Sequence, residues 1–287
     1  MRLGGFFSAS NEVELEPLCE KLDLHGLSTI GVPSACAEMS DDQVVSFGEK
    51  ARGLGMVVGE WGFWNNMMTP DFSAQEERVN GLRHVLQKAD LMGVPCVVTL
   101  VGTKDSSDHA LAPHPYMFTE ECKAEFRELV LRVLDGLDLK KANYAIEPWC
   151  NTFFYQPEDI RTFIDSVDHP RFGLHLDQMN MVSFADFYNT TDLINRTFDL
   201  LGDYARSVHL KDIGWDYAHM FLKWDEVYVG DGVMDYDTYL KRLAQLPADT
   251  PCYCEHMNEE SDYALNFERL HERADRVGVR FLRRGEL

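Results

Sequence analysis

Four short segments of this 287-residue chain end in side chains that can hold a divalent cation. They read Tyr144-Ala145-Ile146-Glu147, Leu174-His175-Leu176-Asp177, Ser207-Val208-His209-Leu210-Lys211 and Cys252-Tyr253-Cys254-Glu255. Each is apolar or β-prone and carries its charged or imidazole group at the C-terminal tip. Three carboxylates (Glu147, Asp177, Glu255) with one imidazole (His209) suit Mn²⁺, Mg²⁺ or Co²⁺. The segments lie far apart in sequence, so only a fold that collects strand ends on one face can unite them. Alternation along a strand adds a check. It sets His175 beside Asp177, Ala145 beside Glu147, Tyr253 beside Glu255, and Ser207 beside His209 and Lys211, opposite the apolar positions.

The elements that must position these groups follow one cadence. Strand-like stretches cover residues 3–8, 28–33, 55–61, 94–101, 142–147, 171–177, 207–212 and 251–255. Helix-like stretches follow each in turn: 12–24, 41–54, 74–92, 120–137, 157–167, 192–204, 235–246 and 261–277. Several show a single apolar stripe at spacings of three and four, such as Phe126, Val130, Val133 and Leu137, or Tyr263, Phe267, Leu270, Ala274 and Val277. Strict alternation implies a parallel sheet covered by helices. Eight units of this length predict an α/β fold of (β/α)₈ TIM-barrel type, one domain over residues 1–287. A doubly wound open sheet usually carries a Gly-rich turn after its first strand; here that turn is Ser8-Ala9-Ser10-Asn11. Barrel active sites lie at the C-terminal strand ends, where all four candidate ligands stand.

Bulk properties narrow the partners. The formal net charge of −21 repels nucleic-acid backbones and anionic membranes. No apolar run reaches the length of a membrane span. The start, Met1 to Phe7, lacks the length and cleavage site of a signal peptide and reads as the first strand. Seven cysteines, with no zinc-site spacing, read as buried thiols of a reducing, cytoplasmic setting.

Four segments also resemble a known group: Ala145-Ile146-Glu147-Pro148, Leu176-Asp177, Val208-His209-Leu210-Lys211-Asp212 and Cys254-Glu255. Together with Val229-Gly230-Asp231-Gly232 they resemble the sugar phosphate isomerase/epimerase superfamily, the xylose-isomerase-like TIM barrels. The resemblance implies one divalent metal held by Glu147, Asp177, His209 and Glu255. It also implies that Glu147 and Glu255 act as acid and base from opposite faces of a substrate. Two departures from the ketose epimerases of that group stand out. Where they carry Asp-x-x-His, this chain has Asp177-Gln178-Met179-Asn180; where they carry an Arg after strand seven, it has Ile213-Gly214-Trp215-Asp216.

Other residues have two readings each. Lys211 orients a substrate hydroxyl or pairs with Asp212 or Glu255. His175 is a proton shuttle behind the ligands or a hydrogen-bonded core histidine. Asn180 stands at the position of the epimerase histidine, within reach of substrate. Trp61, Phe63 and Trp64 follow strand three, and Trp149, Phe153 and Phe154 follow strand five. They suit stacking on a sugar, loop packing, or the interface of a homo-oligomer. The loop carrying His109 and His114 has the length of a lid. His256 should point away from Glu255.

The expected activity is that of a metal-dependent isomerase or epimerase on a sugar or polyol, moving a proton next to a carbonyl through an enediolate. A lyase or dehydratase acting on a cyclitol, keto-sugar or glycoside needs the same site. A non-catalytic barrel, serving as a binding module or partner subunit, is the reading from a different class. An endonuclease would want more histidines and a basic groove.

Overall fold

The computed structural model describes residues 1–5, 7–219 and 223–286. The chain opens with β1 (Arg2–Gly4), α1 (Leu15–Leu24), β2 (Thr29–Gly31), α2 (Asp41–Gly53), β3 (Val57–Gly62) and α3 (Phe72–Met92). It continues through β4 (Cys96–Thr99), α4 (Glu120–Leu134), β5 (Asn143–Ile146), α5 (Pro157–Val167), β6 (Phe172–Asp177) and α6 (Thr190–Leu201). The last part holds β7 (Ala205–Leu210), β8 (Asp212–Trp215), β9 (Trp224–Val227), α7 (Tyr236–Leu243), β10 (Pro251–Cys254) and α8 (Glu260–Arg276).

Polar caps explain where many helices begin. Ser40 and Gln43 form a reciprocal capping box before α2. The side chains of Asp71, Thr119 and Asp235 accept from the first-turn amides of α3, α4 and α7. Pro157 opens α5, where a missing N–H costs nothing. Gly93 ends α3 at φ 88°, a left-handed conformation that glycine adopts without penalty.

Eight strands form one sheet in the order β1-β10-β7-β6-β5-β4-β3-β2, with every paired neighbour parallel. The seam between β1 and β2 is drawn together by Ser28 N–H donating to Leu3 O at 2.9 Å and by a bridge from Ser8 to Gly31. The result is a nearly closed (β/α)₈ barrel. Its main core lies between strands and helices, where Leu86, Phe126, Val130, Phe267 and Leu270 are buried. Burying such a side chain stabilises by about 1.5–3 kcal/mol. A second, small apolar cluster of Cys96, Val98 and Ala145 fills the barrel interior.

Two register shifts shape that interior. Between β2 and β3 the pairing runs Ile30 to Val58 and then Gly31 to Glu60, so Gly59 is the extra residue. Between β6 and β7 it runs Leu174 to Ala205 and then His175 to Ser207, so Arg206 is the extra residue. Such bulges re-aim side chains.

The first strand is shorter than the 3–8 expected, and Phe6 lies outside the described residues. Gly4 and Gly5 let the backbone pass close to Thr29 and the Phe267 ring, where a Cβ would come within 3 Å of both. The Asn11 side chain then caps a 3-10 turn at Glu12–Glu14 that precedes α1. The expected strand 207–212 divides at Lys211. β7 stays in the barrel, and β8 leaves it to form an antiparallel hairpin with β9.

Candidate metal centre

Glu147 follows β5, Asp177 ends β6, His209 lies near the end of β7 and Glu255 follows β10. One ligand atom from each lies within 4.8 Å of all the others. His209 Nδ1 stands 2.8 Å from Glu255 Oε2 and 3.6 Å from both Glu147 Oε1 and Asp177 Oδ2. The cluster is deeply buried, with only Glu255 partly open. Asp177 Oδ2, Glu255 Oε2 and His209 Nδ1 make no directed hydrogen bond, although each lies at ion-pair distance from its neighbours. Three converging carboxylates with one free ring nitrogen are a donor set suited to a hard divalent cation.

Lys211 shares this cage. Its Nζ lies 2.8 Å from Asp177 Oδ2, 2.7 Å from Glu255 Oε2 and 3.7 Å from Glu147 Oε1. Its partner is therefore not Asp212. The Asp212 carboxylate accepts from the amides of Ile213, Gly230, Gly232 and Met234 at 2.8–3.3 Å. A Cβ on Gly232 would sit 2.1 Å from Asp212 Oδ1. Those two glycines let the loop before α7 fold over one buried carboxylate, which gives the Val229-Gly230-Asp231-Gly232 run its structural sense.

The charges answer one another. Burial pushes the Glu147 carboxyl up, against the pull of His209 and Lys211. Burial also opposes ionisation of Asp177, yet Lys211 and His209 hold it well below the usual carboxylate range. Glu255 feels the same burial but is brought down to about 2 by His209 and Lys211. The two cations run the other way. Burial disfavours their charge, while Glu255 and Glu60 lift His209, and Asp177 and Glu255 lift Lys211.

Glu60, on β3, was not among the residues singled out from the sequence. His209 Nε2 lies 3.3 Å from Glu60 Oε1, and His175 Nδ1 lies 3.1 Å from Glu60 Oε2. A hydrogen bond from Nε2 to this carboxylate would, in the neutral ring, leave Nδ1 as the lone-pair nitrogen facing Glu147, Asp177 and Glu255. Carboxylates behind ligating histidines orient them in this way. The signal was a glutamate inside a buried strand, which is costly unless partnered. His175 is fully buried beside the candidate ligands, its ring edge-on to that of His209 at 4.0 Å between centroids. It also bonds Ser207 Oγ, whose hydroxyl donates to Cys96 Sγ at 3.0 Å.

Asn180 lies at the centre. Its Nδ2 donates to Glu147 Oε1 at 2.7 Å, and its amide donates to Asp177 Oδ1 at 3.0 Å. Trp149 is half-buried in the loop after β5. Trp61 is 1% exposed within the core, paired in register with Val97. Trp64 instead approaches the cluster, with its ring centroid 6.4 Å from that of His209, and Tyr253 lies at 6.5 Å. His256, at φ 59°, bonds Glu226 through Nδ1 at 2.9 Å, while its Nε2 stays 3.5 Å from Glu255 Oε2, so it does not point away from Glu255 as expected. The loop with His109 and His114 is pinned rather than free. Arg78 and Asn66 hold Asp108, and Lys104 and Tyr116 hold Glu125.

The chain is thus a parallel (β/α)₈ barrel with an acidic, imidazole-bearing mouth. The profile of the family described as "Xylose isomerase-like TIM barrel" matches residues 20–284, and the chain belongs to that family. No curated protein matches it in sequence. Among solved structures it is similar to a xylose isomerase-like TIM-barrel protein from Mycobacterium smegmatis in complex with magnesium. That match has 17% identity and a TM-score of 0.66, covering 94% of this chain and 90% of that one. It is similar to 3-keto-D-glucoside 4-epimerase from E. coli (15%, TM-score 0.66, 96% and 99%). It is also similar to endonuclease IV from Thermus thermophilus (15%, TM-score 0.68, 96% and 100%). At these identities the likeness is one of fold. Among the described residues no helix is long and apolar enough to cross a membrane.

Proposed function

We propose that this protein is a divalent-metal-dependent isomerase or epimerase acting on a small sugar or polyol by proton transfer next to a carbonyl. The observation that carries the reading is the convergence of Glu147, Asp177, His209 and Glu255 within 4.8 Å at the C-terminal mouth. Asp177 and His209 hold the ion, which is Mn²⁺, Mg²⁺ or Co²⁺ by donor type, and Glu147 and Glu255 share in holding it. When bound, the ion supplies Lewis-acid polarisation of a substrate carbonyl. Glu255, the more open carboxylate, removes the proton next to that carbonyl. Glu147, steadied by Asn180, returns one from the other side. Lys211, between Asp177 and Glu255, is placed to donate to a substrate oxygen that gains charge. Trp64 and Trp149 border the mouth as apolar faces for a sugar ring.

The charge of −21 supports a small neutral partner over a nucleic acid, despite the endonuclease among the fold relatives. A cytoplasmic setting agrees with seven free thiols. The test is solvent exchange. Metal-loaded protein in D₂O should place deuterium at the carbon beside the carbonyl of at least one compound in a panel of ketoses and cyclitols, with mass otherwise conserved. Loss of water or an aglycone would move the assignment to a lyase, which uses the same two glutamates. Absence of any exchange across the panel would leave a binding role and refute the catalytic reading.

A further inference from the structure

The opposite end of the barrel is built from cations. Among the described residues, Arg52, Lys141 and Arg206 make no ion pair with any carboxylate, in a chain where Asp and Glu outnumber Lys and Arg by 48 to 27. All three line one cavity of about 410 Å³ on the N-terminal face, beneath the starts of β3, β7 and β10. Such a volume accommodates a small organic molecule.

Each cation is directed there by something local. Arg206 is the extra residue of the β7 bulge. Its Cγ and Nε come within 3.1 and 3.2 Å of where a Cβ on Gly173 would stand, so the side chain uses the space that glycine leaves. Arg52 Nη1 and Lys141 Nζ meet over Gly93, at 2.7 and 3.6 Å from its hypothetical Cβ. Only part of their donor capacity is spent. Arg52 Nη1 donates to Met92 O, and Arg206 Nη1 to Asp203 O and Ala205 O. The remaining guanidinium donors and the Lys141 ammonium have no protein acceptor among the described residues. The one acidic residue in the lining, Asp249, is already engaged by Arg2 at 2.8 Å. Thr250 apart, the other walls are apolar, with Met56, Val58, Pro95 and Pro251 among them. Burial, with Arg171 close by, disfavours the charge on Arg206 by more than Asp203 supports it, a cost that a bound anion would offset.

We propose that this cavity is a second binding site, for a small organic phosphate: a dianionic head held by Arg52, Lys141 and Arg206, and an apolar body against Met56, Pro95 and Pro251. Guanidinium forks match phosphate oxygens, and a monoester carries about −1.5 to −2 charge, which suits three cations better than a single carboxylate does. The site is independent of the metal centre and of the activity proposed for it.

Phenyl phosphate is the probe, titrated calorimetrically into the metal-free full-length protein at low salt, beside inorganic phosphate. Saturable binding at one site is expected, with inorganic phosphate about tenfold weaker for want of the apolar body. Arg52→Gln with Arg206→Gln should weaken phenyl phosphate at least about tenfold. Lys141→Glu, an exposed loop change that leaves the core intact, should do the same, and Lys211→Met should leave binding unaltered. No saturable binding by the native protein would overturn the proposal. So would equal binding by the floor variants, or loss of binding in Lys211→Met, which would place the anion at the mouth, each once circular dichroism shows the variant folded.

Discussion

The two ends of this barrel have opposite electrostatics. At the C-terminal mouth, four carboxylates crowd around His209 and Lys211. At the N-terminal floor, three cations share a cavity with one carboxylate that is already paired. Between them lies a plug of interior side chains. Tyr253 donates to Ile30 O at 2.9 Å and meets Thr29 Oγ1 at the same distance, beside the Cys96–Ser207–His175 chain. The same parallel strands supply both ends. What differs is the local device: strand-end carboxylates above, a bulge and two glycines below. Charge separation of this kind teaches that a barrel can be read as two sites joined by a packed interior, each open to its own mutations.

That comparison can be broken from the mouth first. Glu147→Gln or Glu255→Gln should reduce substrate deuterium exchange by about 10²–10⁴-fold, the usual range for a lost general acid or base. Mass spectrometry of the exchanged product reads this, and phenyl phosphate binding at the floor should not change. Glu60→Gln should weaken Mn²⁺ binding by about 10–100-fold, as for other carboxylates behind metal histidines, without unfolding the chain. Calorimetric metal titration checks it, and undiminished affinity would show that the carboxylate merely fills space. Lys211→Met should act in the other direction. The ammonium draws on the oxygens of Asp177 and Glu255, so its removal should tighten Mn²⁺ at least about tenfold while lowering the stability of the metal-free protein. The smallest effect belongs to the floor. Arg206→Met replaces a half-buried charge that makes no ion pair among the described residues, so unfolding free energy should shift by no more than about 1 kcal/mol, toward greater stability.

The sequence carried the barrel because each helix declares its buried stripe and each strand its apolar run. The four candidate ligands were legible as a cluster because each stands at or beside a strand end in a metal-compatible group and keeps its phase. Glu60 was not, because Val57-Val58-Gly59-Glu60-Trp61 reads as a strand whose bulk lies in the tryptophan. The bulge at Gly59 changes the phase, and register belongs to the pairing with β2 rather than to β3 alone. Trp61 consequently packs among the core residues while Trp64 approaches His209. The hairpin of β8 and β9 escaped for a similar reason. Asp212 looks like the last residue of a barrel strand, and its true partners are amides some twenty positions onward. Arg206 was invisible as a floor residue, because an extra residue in β7 shows only against its neighbour β6.

The central claim is that Glu147, Asp177, His209 and Glu255 make one divalent-metal site. Electron paramagnetic resonance of Mn²⁺ added to chelator-treated protein tests it directly. Saturation at one bound ion per chain is expected in the native protein, with loss of that binding in Asp177→Asn and the fold retained. Native protein that binds no Mn²⁺, or an Asp177→Asn variant that binds it equally well, would contradict the claim.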